Sequence, residues 1–198
     1  MQLFGGKAHL KNRERETGKA GNVIGPDVIE QCKNGDRLAQ KAVYDALSSK
    51  MFAVCVRYMG GDRDSAADIL QDGFVTLFTK LDSYSGEGSF EGWARKIFVN
   101  TALMSLRKKD VLKQSEDVDV AWNISSSDPT PIQNIGYQEL CKMIAALPPG
   151  FRTVFNMYVV EGFSHKEIAE ALDISETTSR SQLQRARTLL QNKIKERF

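Results

Sequence analysis

The sequence predicts an all-α protein made of two small helical domains, and three observations lead there. Apolar residues recur at helical spacing from Asp27 to about Lys113 and again from Gly136 to Phe198, with no segment of strand period. Between these blocks composition changes abruptly: Gln114 to Ile135 holds four acids (Glu116, Asp117, Asp119, Asp128) and no Lys or Arg. The run Ser125 to Pro131 within it carries turn and linker residues. Finally, Ser164 to Arg187 has the caps and spacing of a helix-turn-helix. The expected division is a flexible N-terminal extension over residues 1–26, a helical domain over 27–112, an acidic flexible linker over 113–135 and a helix-turn-helix domain over 136–198.

Each element has a local reason. Residues 1 to about 25 are rich in Gly, Lys and Arg without sustained periodicity, which suits a mobile extension. Asp36 opens a helix whose expected apolar face includes Leu38, Val43, Leu47, Phe52 and Val56. Gly60-Gly61 ends it, and Asp62 or Asp64 starts the next, with Ile69, Leu70, Phe74, Leu77, Phe78 and Leu81. Gly73 inside that helix costs near 1 kcal/mol relative to alanine. A third helix is expected from about Phe90 to Lys109, carrying Trp93, Ile97, Ala102, Leu103 and Leu106. After the linker, Pro148-Pro149 opens a helix that stops at Gly162.

Composition excludes several classes. The chain has 198 residues, 41% of them hydrophobic, enough for true cores, and a net charge of only +2. No run approaches the roughly 18–20 apolar residues of a membrane span. The N-terminus lacks the apolar stretch and cleavage site of a secretory signal, so an intracellular, cytoplasmic protein is expected. Cys32, Cys55 and Cys141 are scattered and odd in number. Cys55 lies in an apolar helical pattern, which predicts a buried free thiol. His9 and His165 are the sole histidines, and no Cys/His spacing resembles a zinc site. There is no phosphate loop and no nucleophile elbow. No metal, no cofactor and no enzymatic activity are expected.

The terminal hairpin carries the clearest chemistry. Ser164 and Glu167 form a capping box, Ile168, Ala169 and Leu172 form an apolar stripe, Asp173-Ile174 turns the chain, and Ser175 caps a second helix. That helix is expected to bury Leu183, Ala186, Leu190 and Ile194. It leaves Thr177, Arg180, Ser181, Gln184 and Arg187 outward. From Ile174 onward there are six Lys/Arg and two acids, a basic balance that the whole chain lacks. A short-armed, polar, basic face on the second helix of such a pair suits a DNA major groove.

A second feature is the loop from Leu81 to Trp93. It mixes glycines with Tyr84, Phe90 and Trp93 and leads into a helix with a basic end. From Arg95 to Lys113 there are six Lys/Arg against Asp110 alone. Glycines allow close approach, aromatic faces accept unstacked bases at roughly 1–3 kcal/mol each, and cations hold phosphates. The pattern fits a single-stranded nucleic-acid site. Phe90 and Trp93 fit equally as core residues of the next helix, and an aromatic base beneath a binding loop satisfies both.

Together these residues resemble a bacterial RNA polymerase sigma factor of the sigma-70 family, in its small extracytoplasmic-function (ECF) group. The resemblance rests on Ala67 to Val75 and onward to Leu81, and on Phe90, Trp93, Ile97 and Asn100. In the second half it rests on Leu147-Pro-Pro-Gly150 with Arg152, Val154 and Phe155, on Gly162 to Ala169, and on Ile174 to Arg187. It covers about residues 27–112 and 136–198. It implies that Asp68, Gln71 and Asp72 contact core RNA polymerase. It implies that Tyr84, Ser89 and Phe90, with Asn100 and Arg107 on the following helix, meet melted −10 promoter DNA. Thr177, Arg180, Ser181, Gln184 and Arg185 are then the readers of duplex −35 DNA, and an anti-sigma factor is an expected partner.

The chain departs from the family pattern at Thr177, Ser179 and Gln182, which bears on −35 preference, and at Gly73, which replaces a bulkier residue. Two other readings fit parts of the sequence. A stand-alone helix-turn-helix regulator would bind duplex DNA without polymerase. A helical adaptor would bind no nucleic acid.

Overall fold

A computed structural model of the chain describes residues 24–108 and 135–197. The expected extension, up to residue 23, and the expected linker, up to residue 134, lie outside the described residues. Eight α-helices are described: α1 (Pro26–Lys33), α2 (Arg37–Tyr58), α3 (Arg63–Thr79), α4 (Phe90–Lys108), α5 (Ile135–Ala145), α6 (Pro149–Phe155), α7 (His165–Leu172) and α8 (Glu176–Arg197). A 3-10 turn at Leu81–Ser83 follows α3, and a π-helical turn at Asn156–Val160 continues α6. The architecture is all-α, with a helix-turn-helix at the C-terminal end.

Caps fix where the helices begin. Asp36 accepts from the backbone of Leu38 at 2.7 Å and Ala39 at 3.0 Å. Of the two candidates for α3, Asp62 is the cap, accepting from Asp64 and Ser65 at 3.1 and 3.2 Å. Each satisfies backbone donors that a helix start leaves unpaired, worth about 1 kcal/mol.

The first core lies among α1 to α4. Val43, Leu47, Met51, Tyr58, Leu77 and Phe98 are all at most 2% exposed, and each large apolar side chain so buried contributes roughly 1.5–3 kcal/mol. Cys55 is fully buried and free; burial pushes its thiol up to about 12, which leaves it unreactive. The expected face of α2 is rotated. Its buried stripe runs through Ala39, Val43, Leu47, Met51, Val54, Cys55 and Tyr58, while Leu38 is 79% exposed. Leu38 precedes Ala39 by one residue, about 100° around the helix, and so misses the stripe.

Gly73 has a packing reason. It is buried in α3 against α4, and a Cβ there would lie 2.3 Å from the ring of Phe98, itself 0% exposed. Helix propensity favours Gly73→Ala by about 1 kcal/mol, but overpacking a rigid ring costs about 1–3 kcal/mol. A net destabilisation is therefore expected in urea unfolding, relieved when Phe98→Leu is added. A stabilised Gly73→Ala protein would contradict this packing.

The helices after the linker build a second cluster from Met143, Leu147, Phe151, Ala186 and Leu190. Ile194 departs from expectation: it is 41% exposed, one turn past Leu190, the last buried residue of α8. Val154, Met157, Ile168 and Leu183 join the first core instead, so the two helical units pack directly on each other. Among the described residues no helix is long and apolar enough to cross a membrane.

Candidate nucleic-acid interfaces

The hairpin is locked by local hydrogen bonds. Glu167 N–H donates to Ser164 Oγ at 3.2 Å, and the Glu167 carboxylate accepts from Ser164 N–H and Oγ–H, both at 2.8 Å. These bonds, the backbone one foremost, hold the Glu167 carboxyl below the usual carboxylate range. Asp173 makes the turn in the left-handed region at φ 56°, and Ser175 accepts from Thr178 N–H at 2.9 Å to open α8. Asp is among the few non-glycine residues that adopt this conformation readily.

Thr177, Arg180, Ser181 and Gln184 are exposed at the i, i+3, i+4 and i+7 spacing of one helical face. Arg185 is exposed at its edge, with its guanidinium 6.0 Å from the Phe151 ring centroid. Arg180 pairs with Glu176 one turn earlier at 2.6 Å. Of the three departures in this helix, only Thr177 lies on the open face. Gln182 is 9% exposed and Ser179 is 0% exposed, so both face inward.

Ser179 explains itself through His165, a residue whose role the sequence reasoning missed. Ser179 Oγ lies 2.9 Å from His165 Nδ1, which ties the first turn of α8 to the first turn of α7. The imidazole also stacks on Tyr158, centroids 4.5 Å apart at 24°, and Arg187 covers the same ring at 5.9 Å. A polar residue in a buried helix position needs such a partner, and that demand was the available signal. Burial first, then the charge of Arg180, lowers the His165 pKa. A histidine with a lowered folded pKa binds its proton more readily when unfolded, so stability falls as pH drops through about 6.5. Urea midpoints measured from pH 7.5 to 5 should show this loss, and His165→Gln should flatten that part of the profile. An unchanged slope in the variant would remove His165 from this role.

In the first domain the aromatic loop is a packed platform. Tyr84 sits 5.3 Å from Phe90 and 5.3 Å from Trp93, and Phe90 lies 5.6 Å from Trp93. Phe90 is 6% exposed, so its ring supports the loop from beneath, whereas Tyr84 and Trp93 are half-buried. Tyr84 donates its hydroxyl proton to Gly88 O at 2.9 Å. Gly86 and Gly88 hold φ of +85° and +72°, which side chains resist. Ser89 is exposed but accepts from Gly92 N–H at 3.0 Å, starting α4.

A cavity of about 860 Å³ opens between this loop and α1, lined by Tyr84, Ser89, Phe90, Lys33, Lys50 and Arg95 among others. Lys50 and Glu91 pair across its rim at 2.6 Å. The wall from α1 and the cations Lys33 and Lys50 were not anticipated, because they come from two other helices, whereas Arg95 belongs to the basic run that follows the loop in sequence. Asn100 and Arg107 are exposed on α4 but line no part of this cavity. They lie about 7 and 18 Å further along the helix than Arg95, the last cavity residue on α4, at about 1.5 Å per residue. On α3, Asp68, Gln71 and Asp72 share one exposed face, extended by Val75 at 68% exposure.

Comparison with known proteins agrees with this anatomy. Residues 43–111 match the model of sigma-70 region 2, and residues 137–190 match that of sigma-70, region 4, together more than half of the chain. The ECF RNA polymerase sigma-E factor of Haemophilus influenzae is 29% identical over 179 residues, 84% of this chain and 93% of that protein. The protein of the same name in Escherichia coli K12 is 28% identical over 179 residues, with 84% and 92% covered. Among solved structures, the sigma factor RpoE in complex with the anti-sigma factor NepR from Bartonella quintana has a TM-score of 0.52. It shares 22% identity over 78% of this chain and 96% of that one, a likeness of fold. With both sigma regions present in order, one on each side of the segment from 112 to 136, the chain belongs to the sigma-70 family, in its ECF subfamily.

Proposed function

We propose that this chain is a dissociable promoter-specificity subunit of bacterial RNA polymerase. It docks on core polymerase, directs it to −35 and −10 elements, and promotes melting for transcription initiation in the cytoplasm. The observation that carries the reading is the presence of two unlike nucleic-acid surfaces in one chain. One is the exposed polar face of α8, suited to a duplex groove. The other is the cavity under the Tyr84 loop, where Lys33, Lys50 and Arg95 share the lining with Glu30 and Glu91, suited to an unstacked base.

Thr177, Arg180, Ser181 and Gln184, flanked by Arg185, are the proposed −35 readers. Tyr84 and Ser89 are the proposed −10 contacts at the cavity, with Phe90 as the support beneath them. Asn100 and Arg107 serve the same strand further along α4. Asp68, Gln71 and Asp72 are the proposed contact with core polymerase. Its work is binding: it makes and breaks no covalent bond of its own, and melting is offset by capture of the extruded base. An anti-sigma factor is the proposed regulatory partner, in keeping with the RpoE–NepR complex.

Purified protein with core polymerase should give specific initiation on promoters of its own bacterium, mapped by run-off transcription. No specific initiation on any of them would overturn the reading. A palindromic footprint formed without polymerase would point to a stand-alone regulator instead.

A further inference from the structure

The exposed face of α8 is tied from behind. Thr177, Arg180 and Ser181 stand at the start of this helix, and Ser179 lies among them on the opposite side, at 0% exposure. Its Oγ meets His165 Nδ1 of α7 at 2.9 Å. The hydroxyl can donate to a bare Nδ1 or accept from a protonated one, so the tie holds in either charge state of the ring. The imidazole in turn stacks on Tyr158, the ring that Arg187 of α8 also covers. Ser179 and Arg187 are about 12 Å apart along α8 at about 1.5 Å per residue. One imidazole and one phenol therefore grip the helix at two points.

Rotation is what this grip controls. Ile168 of α7 and Leu183 of α8 are buried in one apolar cluster, and apolar burial brings helices together without giving them a direction. Side-chain tips stand about 5–6 Å from a helix axis, so turning α8 by about 20° would move them by roughly 2 Å. Groups that read base edges through paired hydrogen bonds tolerate only about 0.5 Å. The bond at Ser179 is directional, and it supplies the orientation that packing alone does not.

We propose, resting on the proposed role of α8 as the −35 reader, that His165 is a positioning residue for −35 recognition: through Ser179 it sets the orientation in which Thr177, Arg180 and Ser181 meet the duplex, and it takes up a proton from solvent as DNA binds. The charged groups around the ring are Glu176, Arg180 and Arg187 of α8, and Tyr158 lies against it from the π-helical turn. In the free chain burial, and then Arg180, disfavours the charged imidazole. A duplex seated on this helix brings phosphates next to Arg180 and reverses that balance. Binding therefore strengthens as pH falls toward about 6, complete below the ring's pKa in the free chain and lost as pH rises through its pKa on DNA. Folding stability weakens over the same interval, because there the unfolded chain holds the proton better. A histidine with only a structural part would move binding and stability in the same direction.

The test uses the full-length chain with core polymerase and a fluorescent promoter fragment found by run-off transcription, alongside the same fragment with its −35 element scrambled. His165→Ala should weaken binding to the intact fragment about fivefold and leave binding to the scrambled one where it was. His165→Gln, whose amide can still reach Ser179, should recover most of that loss. Between about pH 7.5 and about pH 6 the original chain should gain about threefold over His165→Gln. Equal losses on the two fragments would overturn the positioning role, as would a glutamine variant no better than alanine. Binding that changes with pH in parallel with His165→Gln would overturn the proton uptake. If the unmodified chain initiates nowhere, the −35 reading falls, and the tie is judged in the free chain. There the Ser179 amide, bonded to Ser175 O at 3.0 Å, should exchange its hydrogen about fivefold faster in His165→Ala. An unchanged exchange rate would overturn the tie itself.

Discussion

Arg152→Ala is expected to lower the stability of the free chain by about 3–5 kcal/mol, a large share of what a small domain possesses. Arg152 is 8% exposed, and its guanidinium donates to Ala145 O at 2.8 Å, Leu147 O at 3.0 Å and Tyr58 O at 3.3 Å. Burial pulls its pKa down to about 10, so it remains charged at neutral pH with carbonyl oxygens as its solvent. Alanine would leave three carbonyls facing apolar surroundings and a hole beside Gly60. Lysine is expected to recover only part of the loss, because a single ammonium cannot reproduce the planar fork that reaches separate acceptors. Urea unfolding of the full-length chain measures both. A loss below about 1 kcal/mol for Arg152→Ala would mean that water replaces the guanidinium without penalty.

The second large effect concerns function. Tyr84→Ala removes the half-buried ring over the loop cavity and is expected to reduce open-complex stability by about 1–3 kcal/mol, or roughly 5- to 150-fold. Tyr84→Phe keeps the ring and loses only the 2.9 Å hydrogen bond to Gly88 O, so its effect should stay near 1 kcal/mol or less. Permanganate reactivity of melted thymines reads the open complex directly. Binding of the −35 duplex should be untouched in both variants, since α8 lies in the other domain. Equal defects in Tyr84→Ala and Tyr84→Phe would show that the hydroxyl, and not the ring face, matters.

Much of this was legible residue by residue. The capping box at Ser164 and Glu167, the turn at Asp173 and the cap at Ser175 are local devices, and local devices show in a sequence because their partners are three or four residues apart. The outward residues of α8 follow from the same periodicity. Errors fell along the α2 stripe, where Leu38 is exposed and Phe52 and Val56 are only partly buried, and at Ile194 at the end of α8. There, periodicity says which residues share a face but not how far the neighbouring helices extend. Ser179 and Gln182 looked like changes to the DNA-reading surface. They are inward positions, and Ser179 is answered by His165 from the preceding helix.

The sequence by itself determined most of the helices, their caps, their order and the chemistry of the two proposed nucleic-acid surfaces, because each depends on spacing within about two turns. Tertiary structure alone decided what lies opposite what. It set the ring of Phe98 against Gly73, and Lys33, Lys50 and Arg95 around the loop cavity. It also set Arg152 and Asn156 on the open carbonyls of α2. Those pairings join residues as much as a hundred positions apart, and no local periodicity encodes them. They arise because buried donors, acceptors and volumes must each find a partner once the helices pack.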